Sequence, residues 1–384
     1  MKSEPNRTSL SFKRVAQTVC AFALVVCALA IGLPVTAQTG HGCHNVPIVI
    51  NIDVPGNHQT QPVAISDTGA ITGGYLGSDG FNHCFLRSPG GSFSDCEPPG
   101  VGAITSFAWS INTAGQLAGI YQDASNVYHG FLRSADGQTF TILDAPGAGT
   151  GANEGTQAYD INSSGEVAGQ TIDNKGVYHS WVWAGGAFTV FDVAGAGTLS
   201  GQGTQPATVD GLNWQEALVG NTVDNFYAYH GYLRAADGAV TEFDVQGAGT
   251  RNGQGTHPGG INGSGLSEGA YVDSNGVSHG FVRAADGTIT PYDVSGAGTG
   301  SGQGTANGNI NALGEIASSF IDSSNVSHGF VREPNGTVIK FDAPGAGTGT
   351  DQGTFPYCNN ASGQVTGWYA DAQYKLHGFL RTCN

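Results

Sequence analysis

The run His-Gly-Phe-Leu-Arg at His129–Arg133 returns, with small variations, at His83, His179, His230, His279, His328 and His377. Successive histidines are separated by 46, 50, 51, 49, 49 and 49 residues. A unit of this size cannot close a hydrophobic core alone, so copies must stack on one another. The period therefore restricts the chain to repeat architectures before any other feature is considered.

One full copy, residues 256–296, shows what is being repeated. His257–Asn262 leads into an Asn-Gly-Ser-Gly turn, and Leu266–Val272 is short and strand-like. Asp273-Ser274-Asn275-Gly276 is a turn sequence, Val277–Arg283 a strand, Ala284-Ala285-Asp286-Gly287 a further turn, and Thr288–Asp293 a strand rich in β-branched and aromatic residues. Asx- and Gly-type turns of this kind join antiparallel hairpins, and no window carries a helical period of useful length. Four short strands per copy, seven times over, predict an all-β fold: a seven-bladed β-propeller with four antiparallel strands per blade. A parallel β-helix is the main rival, but its rungs are shorter and enclose no antiparallel hairpins.

The ends of the chain fit a ring. The last copy stops after its third strand, and Asn51–Gly56 matches Lys340–Gly345, so residues near 47–53 are expected to supply the missing fourth strand. The N-terminal strand thereby joins the C-terminal blade and removes free sheet edges.

Residues 1–37 read as a signal peptide: a basic start (Lys2, Arg7, Lys13, Arg14), an apolar run from Val15 to Leu33, and a small-x-small site at Val35-Thr36-Ala37. An uncleaved membrane anchor is the alternative, since the run approaches spanning length. Cleavage leaves 38–384 as a single propeller domain, secreted or at the cell surface, with no further membrane insertion expected. It also moves the formal charge from −16 to −19, which repels phosphate backbones and argues against nucleic acid as a partner. Five cysteines remain, in an oxidising compartment. Aligned on the repeat, Cys43 and Cys383 fall at the neighbouring positions of Ser134 and Ala135, which predicts a disulfide clasp. Cys84 and Cys96 fall on facing strands and form the second expected pair. Cys358 is left as a buried free thiol.

Repetition also sorts the candidate functional residues, because a position filled alike in every blade has an architectural task. Seven histidines spread around a ring stand too far apart to share an ion, so no metal and no cofactor is expected. Six have an aspartate six residues earlier (Asp123, Asp173, Asp224, Asp273, Asp322, Asp371), which suggests a hydrogen bond locking each hairpin. Arg87, Arg133, Arg234, Arg283, Arg332 and Arg381 share one strand position, and are expected to pair with Asp144, Asp192, Asp244, Asp293 or Asp342. The Gly-Ala-Gly-Thr loops from Gly147, Gly195, Gly247, Gly296 and Gly345 lack a P-loop lysine and precede strands, which excludes a phosphate cradle. They are either a recognition surface or plain connections.

The features that do not repeat are better guides to function. The fourth copy carries an insertion around Asp210-Gly211-Leu212-Asn213-Trp214. The starts of the first strands should ring a central channel, which makes Phe107, Gln157, Gln205, His257 and Phe355 candidate binding residues, and the insertion adds Trp214. Aromatics and amides together stack on and hydrogen-bond a sugar or peptide.

Three features together resemble the HAF-type extracellular repeat proteins of bacteria: the Ile-Asn-x-x-Gly turn at Ile111–Gly115, the Gly-x-Tyr-x-Asp end at Gly119–Asp123, and His-Gly-Phe at His129–Phe131. That family is named for a His-Ala-Phe core. Gly130, Gly231, Gly280, Gly329 and Gly378 stand here in the place of Ala, and Cys84 and Ser180 elsewhere. The resemblance covers about residues 47–383 and implies export and a propeller-like repeat. It carries no catalytic residues to transfer. The expected function is a non-enzymatic, monomeric binding or scaffold module for extracellular polysaccharide or protein. The alternatives are a polysaccharide hydrolase or lyase using Asp160 and Asp210 at the channel mouth, and a purely structural surface protein.

Overall fold

The computed structural model describes residues 48–382 apart from Val209. The predicted signal peptide and the predicted clasp between Cys43 and Cys383 lie outside the described residues. Among those residues there are 29 β-strands and no helix. They form antiparallel four-stranded meanders such as Gly255–Ile261, Ser267–Val272, Ser278–Arg283 and Ile289–Tyr292. The first strand is almost wholly buried and the fourth is largely exposed, as in Val240–Phe243. Ile48–Asn51 pairs antiparallel with Leu376–Thr382, and the Ile52 amide continues the ladder to the Gly378 carbonyl at 2.9 Å.

Neighbouring meanders are joined by three devices. The first explains the Gly-Thr that ends each glycine-rich loop. Gly155, Gly203, Gly255, Gly304 and Gly353 form parallel bridges to the third strand of the preceding repeat, at φ between +115° and +122°. A Cβ on Gly255 would stand 2.0 Å from the Tyr229 carbonyl oxygen, so only glycine fits. The following threonine accepts a backbone N–H from the preceding repeat, as Thr256 does from Val245 at 3.1 Å. Within four of these loops Gln202, Gln254, Gln303 and Gln352 accept loop amides; Glu154 does so in the fifth. The loops are thus built as connections.

The second device is a relay of asparagines from the Ile-Asn-x-x-Gly turns and from the equivalent turns at Asn213 and Asn360. Each side-chain Nδ2 donates to a backbone carbonyl of the next repeat: Asn112 to Asn162, Asn162 to Asn213, Asn213 to Asn262, Asn262 to Asn311, Asn311 to Asn360, and Asn360 to Ser66, all at 2.9–3.1 Å. Each Oδ1 meanwhile accepts amides of its own turn, as Asn262 does from Ser264 and Leu266. The last step links residue 360 to residue 66, from the C-terminal repeat back to the N-terminal one.

The third device corrects the expected role of the arginines. Among the described residues the aspartates of the fourth strand bond to histidine, not to arginine. Nδ1 of His129, His179, His230, His279, His328 and His377 lies 2.7–3.0 Å from Asp144, Asp192, Asp244, Asp293, Asp342 and Asp53. The turn aspartates stand 3.3–3.8 Å from Nε2, a hydrogen bond at Asp371 and a looser contact in the others, which lock the hairpins through their turn amides. Asp123, for example, accepts the Ser125 and Val127 amides. Four arginines instead place the guanidinium carbon over an aromatic ring of the preceding repeat: Arg234 on Phe191, Arg283 on Phe243, Arg332 on Tyr292 and Arg381 on Phe341, at 4.8–5.1 Å. Such a contact contributes roughly 0.5–2 kcal/mol without the cost of burying an ion pair. Cys84 and Cys96 are disulfide-bonded, and Cys358 is a buried free thiol, both as expected.

Candidate functional site

The first strands carry a shared irregularity. Their register slips by one residue between Pro62 and Ala64, Ala108 and Ser110, Ala158 and Asp160, and Pro356 and Cys358. The extra residue at a bulge is unpaired and its side chain is re-aimed. At this position the repeats carry Val63, Trp109, Tyr159 and Tyr357, and three of these meet as a cluster. Trp109 stands edge-on to Tyr159 at 5.5 Å, with its ring 6.4 Å from that of Tyr357. The fifth repeat slips between Pro258 and Ile261, where it has Gly259 and Gly260. The sixth interrupts the strand between Thr305 and Asn309, with Gly308 in the gap. The aromatic wall on one side and the missing side chains on the other leave a cavity of about 330 Å³.

Its lining is uncharged. Tyr159, Gln170, Gln205, Thr208, Asn221, His257, Asn307 and Tyr357 supply the polar side chains. Gln157 sits behind the wall: its Oε1 accepts from Tyr159 Oη at 2.8 Å and from Gln170 Nε2 at 2.7 Å. Asn221 Nδ2 donates to Gln205 Oε1 at 3.1 Å. His257 packs on Tyr229 with ring centroids 4.2 Å apart, and burial pulls its pKa down to about 4, so it is neutral at physiological pH.

Behind the glycine side, Glu268 is fully buried. Its Oε2 accepts the Gly308 amide at 3.2 Å, and the Gly260 amide also faces the carboxyl. A Cβ on Gly259 would fall 1.8 Å from Oε1, so the glycine makes room for this carboxyl. Burial pushes its pKa up to about 8.

The insertion in the fourth repeat reaches residues of the sixth and seventh repeats. Its first strand ends at Pro206 and pairing resumes only at Leu212. Between them, Thr208 Oγ1 comes within 3.5 Å of Tyr357 Oη. Asp210, at φ +48°, accepts the Ile261 amide on its carbonyl, and its carboxylate accepts from Asn309 Nδ2 and faces Cys358 Sγ at 3.6 Å. Asp160 is fully buried and bonded to protein on both oxygens. Oδ1 accepts from Ser110 Oγ at 2.8 Å and from the Ile161 amide at 2.8 Å, and Oδ2 from the Leu212 amide at 2.7 Å. Burial raises both carboxyls, and Asp210 raises Asp160 further. The two aspartates considered as a catalytic pair are therefore brought near each other, with Asp160 anchoring the inserted segment.

The other candidates disperse. Gln205 and His257 line the cavity and Gln157 supports it. Phe107 faces a separate groove with Trp109 and Tyr128, and Phe355 stacks on Trp368 at 4.1 Å. Trp214, 59% exposed, sits at the asparagine end beside a second cavity of about 180 Å³. Tyr159, Tyr357, Gly259 and Gly308 were not singled out in the sequence. Their signal was present, since they depart from one another at a single aligned position.

No family model and no curated protein matches the chain. Solved structures do. The BP39L lectin from Burkholderia pseudomallei is 12% identical at TM-score 0.54, over 84% of this chain and 96% of that one. The β-propeller domain of the Trilobed protease from Pyrococcus furiosus is 8% identical at TM-score 0.54, over 84% and 95%. Puromycin hydrolase is 13% identical at TM-score 0.51, over 81% of this chain and 50% of its own. At such identities the likeness concerns the fold alone, an all-β propeller.

Proposed function

We propose that the protein is an exported, monomeric, seven-bladed propeller, closed by Ile48–Asn51 on the last blade, that binds neutral carbohydrate in the cavity between Tyr159, Gln205, His257 and Tyr357. The HAF-type resemblance belongs to the same proposal, and the Cys84–Cys96 disulfide is consistent with an oxidising location. The observation that carries the reading is the cavity lining: amides, phenols and a neutral imidazole, with no charge, on a chain of net charge −16. Amides exchange hydrogen bonds with hydroxyls and aromatic faces pack on sugar rings. An anionic ligand would lose its hydration and meet no counter-charge. One of the propellers similar in fold is a lectin, which agrees with a binding role.

The test is retention of the full chain on insoluble neutral polysaccharides and on uronate-containing ones, beside a Gln205→Ala/Asn221→Ala variant. Retention on a neutral polymer, reduced by at least about tenfold in the variant, is expected. Retention on the acidic polymers alone, or equal retention of both proteins, would overturn the assignment.

A further inference from the structure

We infer that the cavity is blind and takes the end of a saccharide chain, not its middle; the inference rests on the carbohydrate reading of the same site. The barrier is the inserted segment of the fourth repeat. Thr208 reaches Tyr357 of the seventh repeat, and Asp210 reaches Asn309 of the sixth and Cys358 of the seventh, so the segment is fastened to these repeats at three points. It is also held from its own side. The Leu212 amide is bonded to the buried Asp160 carboxylate at 2.7 Å, and the Gly211 carbonyl accepts the Val219 amide at 2.9 Å. The cavities on either side share no lining residue: Thr208 belongs to one, and Asp210 with the asparagine turns to the other.

A polymer that threads a propeller needs a continuous channel, and the fastened segment interrupts it between the two cavities. The larger cavity's volume of about 330 Å³ is at the small end for ligand sites, and matches a terminal unit or two of a chain. The terminal unit differs from every internal one in having a free hydroxyl or anomeric carbon in place of a glycosidic bond. The amides of Gln170, Gln205 and Asn221 are the groups placed to read that difference. The insertion is thus the element that sets chain-end specificity, and it has no counterpart in the other repeats.

The experiment uses the full chain and the neutral glucans and mannans of several linkages, each as a short oligomer and as a polymer about tenfold longer, at equal mass concentration. End recognition counts chains, so the short form should compete about tenfold better per unit mass. A ring-closed oligomer of the same linkage should not compete. If a glycan binds with equal affinity per unit mass at both lengths, or its ring-closed form competes equally, the chain-end inference is overturned while the carbohydrate reading stands. If no glycan of any form binds, the carbohydrate reading itself fails and takes this inference with it.

Discussion

Changing Asn262 separates the link between repeats from the turn it also supports. The Asn262 side chain donates to the Asn311 carbonyl at 3.1 Å and accepts from the Ser264 and Leu266 amides at 3.0 and 3.2 Å. Asn262→Ala removes these three bonds at a buried position, and a fourth from Ser264 Oγ at 2.7 Å. The Asn311 carbonyl keeps a second donor, the Gly314 amide at 3.0 Å, so it is not stranded. At about 1 kcal/mol net per bond, the loss is about 3–4 kcal/mol. Asn262→Asp keeps the acceptor and its turn but sets an oxygen against the Asn311 carbonyl. In acid the introduced carboxyl can carry a proton and donate as the amide did. Its folded pKa is thereby raised above the unfolded value, so its contribution is present at low pH and lost as pH rises. Asn262→Asp should cost little near pH 4 and about 1–3 kcal/mol at pH 8. Urea unfolding of the three proteins at both pH values measures this. A cost below about 0.5 kcal/mol for Asn262→Asp at pH 8 would refute the claim that the relay holds the repeats together.

Glu268→Gln should stabilise the protein, and increasingly so from pH 5 to pH 8: the unfolded state sheds the proton near the ordinary carboxyl value, whereas the folded state keeps it up to about 8. A gain that does not change with pH would contradict this. Gly255→Ala, whose Cβ would strike the Tyr229 carbonyl at a φ of +118°, should cost at least about 2 kcal/mol; an unchanged denaturation midpoint would show that the bridge can yield. Burial opposes charge on His83, His230 and His377, yet their carboxylate partners hold them above the ordinary imidazole value. The stability they add is complete below the unfolded value and lost as pH rises through the folded one. The midpoint should fall above pH 6.5, and less steeply in His377→Gln; an identical slope in that variant would remove the pairing with Asp53 from the account.

The repeat period made the strands, their order and the glycine-rich connections legible, because each rests on a local pattern recurring in every copy. The Cys84–Cys96 pair followed from the same alignment. Partner choice was less legible. His129 has aspartates both six residues before and fifteen after it, and only the strand register brings Asp144 to Nδ1 while leaving Asp123 to cap its turn. The asparagine relay was visible as a motif, but its bonds run to carbonyls about fifty residues away, beyond any local pattern. The site was the least legible part. It is one bulge position read across the copies, where Tyr159 and Tyr357, backed by Trp109, line the cavity together with Gly259 and Gly308. Gln205 and His257 were reached because they begin first strands, as was Phe355, which is instead taken up by Trp368.

The central claim is that ligand enters the cavity beside His257. The chain has eleven histidines, and the seven of the repeat lie against carboxylates elsewhere on their strands. Labelling the imidazoles and titrating with a retained neutral oligosaccharide reports each of them by NMR. The account predicts that the His257 resonances move with saturation while those of the seven repeat histidines stay in place. Saturable binding that shifts repeat histidines and leaves His257 unmoved would put the ligand on another surface and contradict the account.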